Sequence, residues 1–150
     1  MFLPITTIRE RFQACGLRPT RQREIIYAAL ASAKSHPSAD ELLDLARHID
    51  EELSLATVYN TLEALCDAGL ARRLSAAGVG PCRFDADVSD HAHAVTPSGE
   101  VRDLPHDLSR QLLDALPQEK LDEVARRLGV AIERVNLQLV VRPDQPPAQS

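Results

Sequence analysis

Residues 54–69 read SLATVYNTLEALCDAG, and this stretch decides the fold. Ser54 is a strong helix cap, because its hydroxyl can accept from a free amide of the first turn. Val58, Leu62, Leu65 and Cys66 then recur at helical spacing and predict one core-facing stripe. Gly69 stops the pattern. The opposite face presents Ala56, Thr57, Asn60, Glu63 and Ala64, with Tyr59 on the flank. A helix with a greasy back and a short, polar, hydrogen-bonding front suits a major groove. Asn pairs bidentately with adenine, and Thr or Tyr can meet a thymine methyl.

Working outward, the flanking segments supply the rest of a winged helix-turn-helix. Thr6 to Cys15 predicts a short helix ended by Gly16. Thr20 caps a second helix, with Ile26, Ala29, Leu30 and Ala33 on one face. Ser38 and Glu41 form a capping box for a third, whose buried stripe is Leu42, Leu43, Ala46 and Ile49. After residue 69, Leu70–Leu74 and Pro81–Asp85 read as extended, with Gly78 and Gly80 as turn signals between them. Helices followed by a small hairpin give the winged order. Arg21, Arg23 and the wing pair Arg72/Arg73 are the expected phosphate contacts.

The second half changes character. Residues 86–90 are polar and unpatterned and read as a hinge. His91–Thr96 and Glu100–Leu104 flank a Pro-Ser-Gly turn and predict a hairpin. Leu108, Leu112, Ala115 and Leu116 mark one helix, stopped by Pro117. Leu121, Val124, Ala125 and Leu128 mark another, closed by Gly129. Val135, Leu137, Leu139 and Val141 alternate with polar residues as a strand with one buried face. The expected fold class is α+β. A DNA-binding domain spans 1–85, a hinge 86–90, a small α/β dimerisation domain 91–142 and a disordered tail 143–150. A second domain of about 50 residues is small for a monomer, so its helices and strand are expected to pack on a second copy.

Composition narrows the function. The chain has 150 residues, 44% apolar and 26% charged, which is ordinary for a globular protein and excludes wholesale disorder. No run approaches a membrane span, and Met1 to Arg11 lacks the basic start and apolar run of a signal peptide. Three cysteines, Cys15, Cys66 and Cys82, lack C-x-x-C spacing and suggest neither a disulfide framework nor a zinc knuckle. A reducing cytoplasmic setting is expected. The net charge of −5 opposes nucleic acid, but residues 9–23 hold five arginines against Glu10 alone. That local patch fits duplex DNA.

A metal constellation accompanies the DNA-reading pattern. His91-Ala92-His93 on a strand puts two imidazoles on one face. With His36, Asp85 and Asp103, the set is three nitrogens and two oxygens, without thiolate. Such a set suits Fe(II), Mn(II) or Zn(II) and leaves a position for a small oxidant. His48, near Asp44, reads as a surface side chain, and His106 has no evident partner. No H-E-x-x-H or G-x-S-x-G is present, so a metal-dependent hydrolase or oxygenase is not expected. Cys66 reads as core. Cys15 and Cys82 have arginine neighbours, but the sequence identifies no resolving partner for either.

In order and at matching spacing, residues 16–23 (GLRPTRQR), 36–42 (HPSADEL), 54–62 (SLATVYNTL), Gly69-Leu70, 83–85 (RFD) and 89–93 (SDHAH) resemble the ferric uptake regulator family. The resemblance covers most of residues 10–104, and the C-terminal third matches in element order. It implies a homodimeric winged-helix repressor of an inverted-repeat operator, with a regulatory metal between its two domains. His36, Asp85, His91, His93 and Asp103 fall on the family's regulatory ligands. Asp at position 85, where iron-responsive members carry Glu, is similar to the peroxide-sensing branch. Asn60 points the same way. The resemblance then implies that hydrogen peroxide, with Fe(II) bound, oxidises His36 or His91 and releases DNA. The alternative is a regulator of iron, manganese or zinc availability without peroxide sensing. One departure is large. Where most members carry a first zinc-binding C-x-x-C, this chain reads Thr96-Pro97-Ser98-Gly99, and the second pair is absent. No structural zinc is expected, and apolar packing, with the Val135–Val141 strand, is expected to hold the dimer.

Overall fold

The computed structural model describes residues 3–33, 35–74 and 80–143. Two compact units result, Met1–Val88 and Ser89–Ser150. The predicted turn residue Gly78 lies outside the described residues, as does the expected tail from residue 144 onward.

The first unit runs α1 (Ile5–Ala14), α2 (Arg21–Ser32), α3 (Ala39–Arg47), α4 (Leu55–Asp67), β1 (Arg72–Leu74) and β2 (Arg83–Asp85). The capping chemistry behaves as the sequence predicts. The Thr20 hydroxyl accepts from the Arg23 amide, and Ser54 accepts from Thr57. Ser38 and Glu41 complete a reciprocal box, with the Ser38 amide donating to Glu41 Oε2 at 3.0 Å. Each cap satisfies an otherwise free first-turn donor, worth about 1 kcal/mol. Gly69 takes φ 73°, a left-handed conformation that ends α4 and that a β-carbon would strain. The amides of Leu70 and Ala71 both return to the Leu65 carbonyl, so the chain leaves α4 directly into the wing.

The α4 stripe goes where its period demands: Val58, Leu62 and Leu65 are at most 1% exposed. They meet Ile8, Phe12, Ile26, Tyr27, Leu42, Leu53 and Phe84 in one core. Two expectations are corrected. Ile49 is exposed, because α3 ends at Arg47 and the stripe ends with it. Cys66 is half-buried at the edge of the core rather than within it. β1 and β2 pair antiparallel, Arg72 opposite Asp85 and Leu74 opposite Arg83, and form the wing.

The second unit runs β3 (His93–Val95), β4 (Val101–Asp103), α5 (His106–Asp114), α6 (Gln118–Leu128) and β5 (Gln138–Val140). Its sheet order is β4-β3-β5, antiparallel between β3 and β4 and parallel between β3 and β5. The apolar core here is small: Ala92, Val95 and Val101. Two predictions fail for one reason. The long strand over 135–141 shortens to three residues, and Leu139, Val140 and Val141 are exposed. Leu108 and Leu112 of α5 and Val124 and Leu128 of α6 are exposed too, and no residue of α6 is buried. These apolar faces follow the predicted periods, but among the described residues they stay exposed.

Candidate functional site

Each unit gathers its own share of the predicted metal donors. In the first, the Phe84 amide donates to the Pro37 carbonyl at 3.0 Å, and Ser38 bridges Arg83. The loop before α3 is thereby laid along β2. Arg83 fastens it further, with Nη1 2.9 Å from both the His36 carbonyl and Glu41 Oε2. The result sets His36 Nδ1 3.6 Å from Asp85 Oδ1, both side chains nearly sealed from solvent. Asp85 Oδ1 also accepts from the Asp87 amide, and Oδ2 is 3.5 Å from Arg72.

In the second unit, strand register does the same work. His93 stands directly opposite Asp103 in the β3–β4 ladder. Extended backbone returns side chains to one face every second residue, so His91 joins them, its ring 4.4 Å from that of His93. Asp103 Oδ1 lies 2.9 Å from His91 Nε2 and 3.3 Å from His93 Nε2. Ser109 anchors the approach by accepting the Ala92 amide at 2.5 Å.

The donor chemistry fits a divalent cation. His91 Nδ1 lies 2.8 Å from the Ser89 carbonyl and donates there, so that in the neutral imidazole Nε2 carries the lone pair. That lone pair faces a carboxylate oxygen at 2.9 Å. Two acceptors at this distance need a proton or a metal between them. Ligands about 2.1 Å from one ion and at right angles to each other stand roughly 3 Å apart, which matches the distances of Asp103 Oδ1 from His91 and His93, 2.9 and 3.3 Å. The carbonyl-oriented imidazole is also the usual outer partner arrangement of a metal-binding histidine. His48 is a surface side chain whose Nδ1 meets the Asp44 carbonyl, and His106 lies 6.5 Å from His91, ring to ring.

For the DNA-reading residues the arrangement is mixed. Arg18, Thr20, Arg23, Thr57 and Asn60 line one shallow depression between the start of α2 and the front of α4. Tyr59 is 51% exposed beside it. Thr57 shares a hydrogen bond with the Ser54 hydroxyl, and Arg23 donates to the Arg18 carbonyl. Arg21 is exposed but lines a different, apolar groove with Ile5 and Ile49. Arg72 departs from its expected role. Its side chain is 11% exposed and turned to Asp85, because alternation in β1 puts it on the inner face. The exposed wing arginine is Arg73. Sequence reasoning missed Arg83 and Ser109 as positioning groups. Position 83 carried a signal, two residues before Asp85 on the same strand face, whereas Ser109 carried none.

A four-helix unit with a two-stranded wing, followed by a small α/β unit bearing two buried histidines beside a carboxylate, defines a metal-responsive DNA-binding regulator. The chain belongs to the ferric uptake regulator family, whose model matches residues 14–139. A ferric uptake regulation protein of Brucella abortus is 34% identical over 132 residues, 87% of each chain. A peroxide operon regulator of Bacillus subtilis is 36% identical over 86 residues, covering 57% of this chain and 59% of its own. The solved structure of the Pseudomonas aeruginosa ferric uptake regulator with manganese aligns at TM-score 0.66 and 28% identity, over 91% of this chain and 98% of that one. Members of the family are dimeric transcriptional regulators, not enzymes. No helix among the described residues is long and apolar enough to cross a membrane.

Proposed function

We propose that this regulator is a repressor that senses hydrogen peroxide through oxidation of a histidine ligand, His36 or His91, with Fe(II) bound. The observation that carries the reading is the pairing of buried His36 with Asp85, rather than a glutamate, at 3.6 Å. The shorter carboxylate is the feature that resembles the peroxide-sensing branch. We further propose that one ion is shared by His36 and Asp85 of the first domain and His91, His93 and Asp103 of the second, across a hinge at 86–90. Fe(II) bound there would supply one-electron reduction of peroxide, and Mn(II) or Zn(II) would fill the same donors without that chemistry.

The chain's own residues do the rest. Arg83 holds the His36 carbonyl and the Ser89 carbonyl orients His91, so both imidazoles are pre-set as ligands. Oxidation adds one oxygen to an imidazole carbon, while the peroxide's second oxygen and the displaced hydrogen leave in water. An oxidised imidazole is a poorer donor. Without a shared ion the hinge would be free, and with it the spacing of two recognition helices, which in a dimer must match half-sites about one helical turn apart. Metal and operator binding are then reciprocally coupled, typically by about 1–3 kcal/mol. Asn60, Thr57, Tyr59 and Arg23, with Arg21 and Arg73 as further cations, are the proposed DNA contacts on an inverted-repeat operator. The exposed apolar faces of α5, α6 and β5 are the proposed homodimer surface.

The test is anaerobic Fe(II) loading, a brief peroxide pulse, peptide mass mapping and a parallel DNA-release assay, with a Mn(II)-loaded control. One added oxygen on His36 or His91 only with iron, in step with DNA release, is expected. Intact histidines, with DNA binding that follows metal concentration alone, would establish the metal-availability reading instead. That second reading has its own support, since the relative matching the larger share of this chain is a ferric uptake regulation protein.

A further inference from the structure

Ile5 and Ile49 of the first unit are 55% and 52% exposed, and neither belongs to the DNA-reading front or to the metal donors. Both line one groove, bounded by α1, the start of α2 and the chain after α3. Its volume is about 870 Å³, within the usual range for a small-molecule site. Buried Ile8 and Ile25 continue the apolar lining, with Leu3 and Ala28 beside them. The charged groups are few and unequal. Glu24, 6% exposed, is held by Arg9, whose Nε and Nη2 donate to its two carboxylate oxygens at 2.6 and 3.3 Å. Arg21, the first residue of α2, is exposed, and its guanidinium makes no hydrogen bond or ion pair among the described residues. The groove therefore offers an apolar trough and one uncommitted cation. Thr20, the cap of α2, lines both this groove and the depression that holds Thr57 and Asn60.

We propose that the groove is an effector site for a free organic carboxylate with an apolar tail, and that its occupation opposes DNA binding. The tail lies on Ile5, Ile8, Ile25 and Ile49, and the carboxylate meets Arg21. A guanidinium presents paired donors that match the two oxygens of a carboxylate. A neutral ligand would leave that cation without a partner, and a cationic ligand would meet like charge. A two-fold contact between copies on this face would set the same patch against itself and bring two Arg21 groups together. The antagonism rests on the reading of Arg21 as a phosphate contact, whereas the site itself does not. A bound carboxylate takes that cation from the DNA backbone, and DNA in turn takes it from the carboxylate.

The test is methyl NMR of the full-length protein, titrated with decanoate below its micelle range. Of the six isoleucines, four line the groove, while Ile132 lies in the second unit and serves as the internal control. Saturable shifts of the Ile5, Ile8, Ile25 and Ile49 methyls, with Ile132 unmoved, are expected. Each methylene removed from the tail should weaken binding by up to about fourfold. Arg21→Ala should weaken it by up to about fivefold, the range of an exposed ion pair. Ile49→Asp should abolish it. Equal shifts from acetate or from decyltrimethylammonium would overturn the proposal, as would shifts that gather on Ile132. So would an Ile49→Asp variant that binds decanoate normally, or one whose sedimentation shows that a second copy had filled the groove. Fluorescence anisotropy with a mixed-sequence duplex at low salt tests the antagonism, and decanoate should weaken duplex binding. Methyl shifts without that loss would refute the antagonism. Arg21→Ala with unchanged duplex affinity would instead fault the reading of Arg21 as a phosphate contact, and the antagonism with it.

Discussion

Arg83→Ala probes how the first domain's donors are held. In the wild type one guanidinium nitrogen serves the His36 carbonyl and Glu41, both at 2.9 Å. Truncation leaves the carbonyl of a 4%-exposed residue without that donor, a cost of about 1–3 kcal/mol. The Glu41 carboxylate is half-exposed, so its lost ion pair adds at most about 1 kcal/mol. The Phe84 amide to Pro37 carbonyl bond survives, so the loop stays on β2. The sum is about 2 kcal/mol, which is roughly a thirtyfold loss in metal affinity if it falls on His36 alone. If it falls on global stability, the melting temperature drops by about 4–8 °C. Chelator competition with Mn(II) and calorimetry of the metal-free protein separate the two. Arg83→Lys should recover little, because its ammonium ends one bond short of the guanidinium nitrogen that reaches both acceptors. Unchanged Mn(II) affinity together with an unchanged melting temperature would refute the idea that Arg83 positions His36.

Other expectations follow from the same geometry. Leu62→Ala removes a 1%-exposed side chain from the centre of the α4 stripe and should cost about 2–5 kcal/mol in urea denaturation. Arg73→Ala should lower the salt dependence of operator binding by about one unit of slope, whereas Arg72→Ala should act through metal affinity, since it faces Asp85. A charge at the exposed apolar edge, Val140→Asp, should shift the protein toward monomer in analytical ultracentrifugation. Cys66 in the native protein should alkylate with an inflection at higher pH than the same cysteine in denaturant, because its thiol is raised. By the same sign, its contribution to stability is lost as pH rises past the free-thiol range.

Much of the site was legible because it was written in local periods. His91 and His93 share a face by strand alternation, and Asp103 is opposite by hairpin register, so a tight turn over 97–99 was enough to join them. The caps at Thr20, Ser38 and Ser54 were readable because each acts within three residues. Arg72 was misjudged because a three-residue strand carries no periodic signal to say which arginine of a pair points inward. The strand over 135–141 was overextended because its apolar alternation describes a surface that the described residues leave exposed.

The sequence by itself determined the element order, the stops and caps, the core stripe of α4 and the donor types available for a metal. These depend on side-chain chemistry and near neighbours, which a linear pattern records. Only the tertiary structure decided that Arg83 holds the His36 loop and that Arg72 serves Asp85. Each of those pairings depends on distant segments meeting in one fold, and their distances arise from packing that no local period encodes.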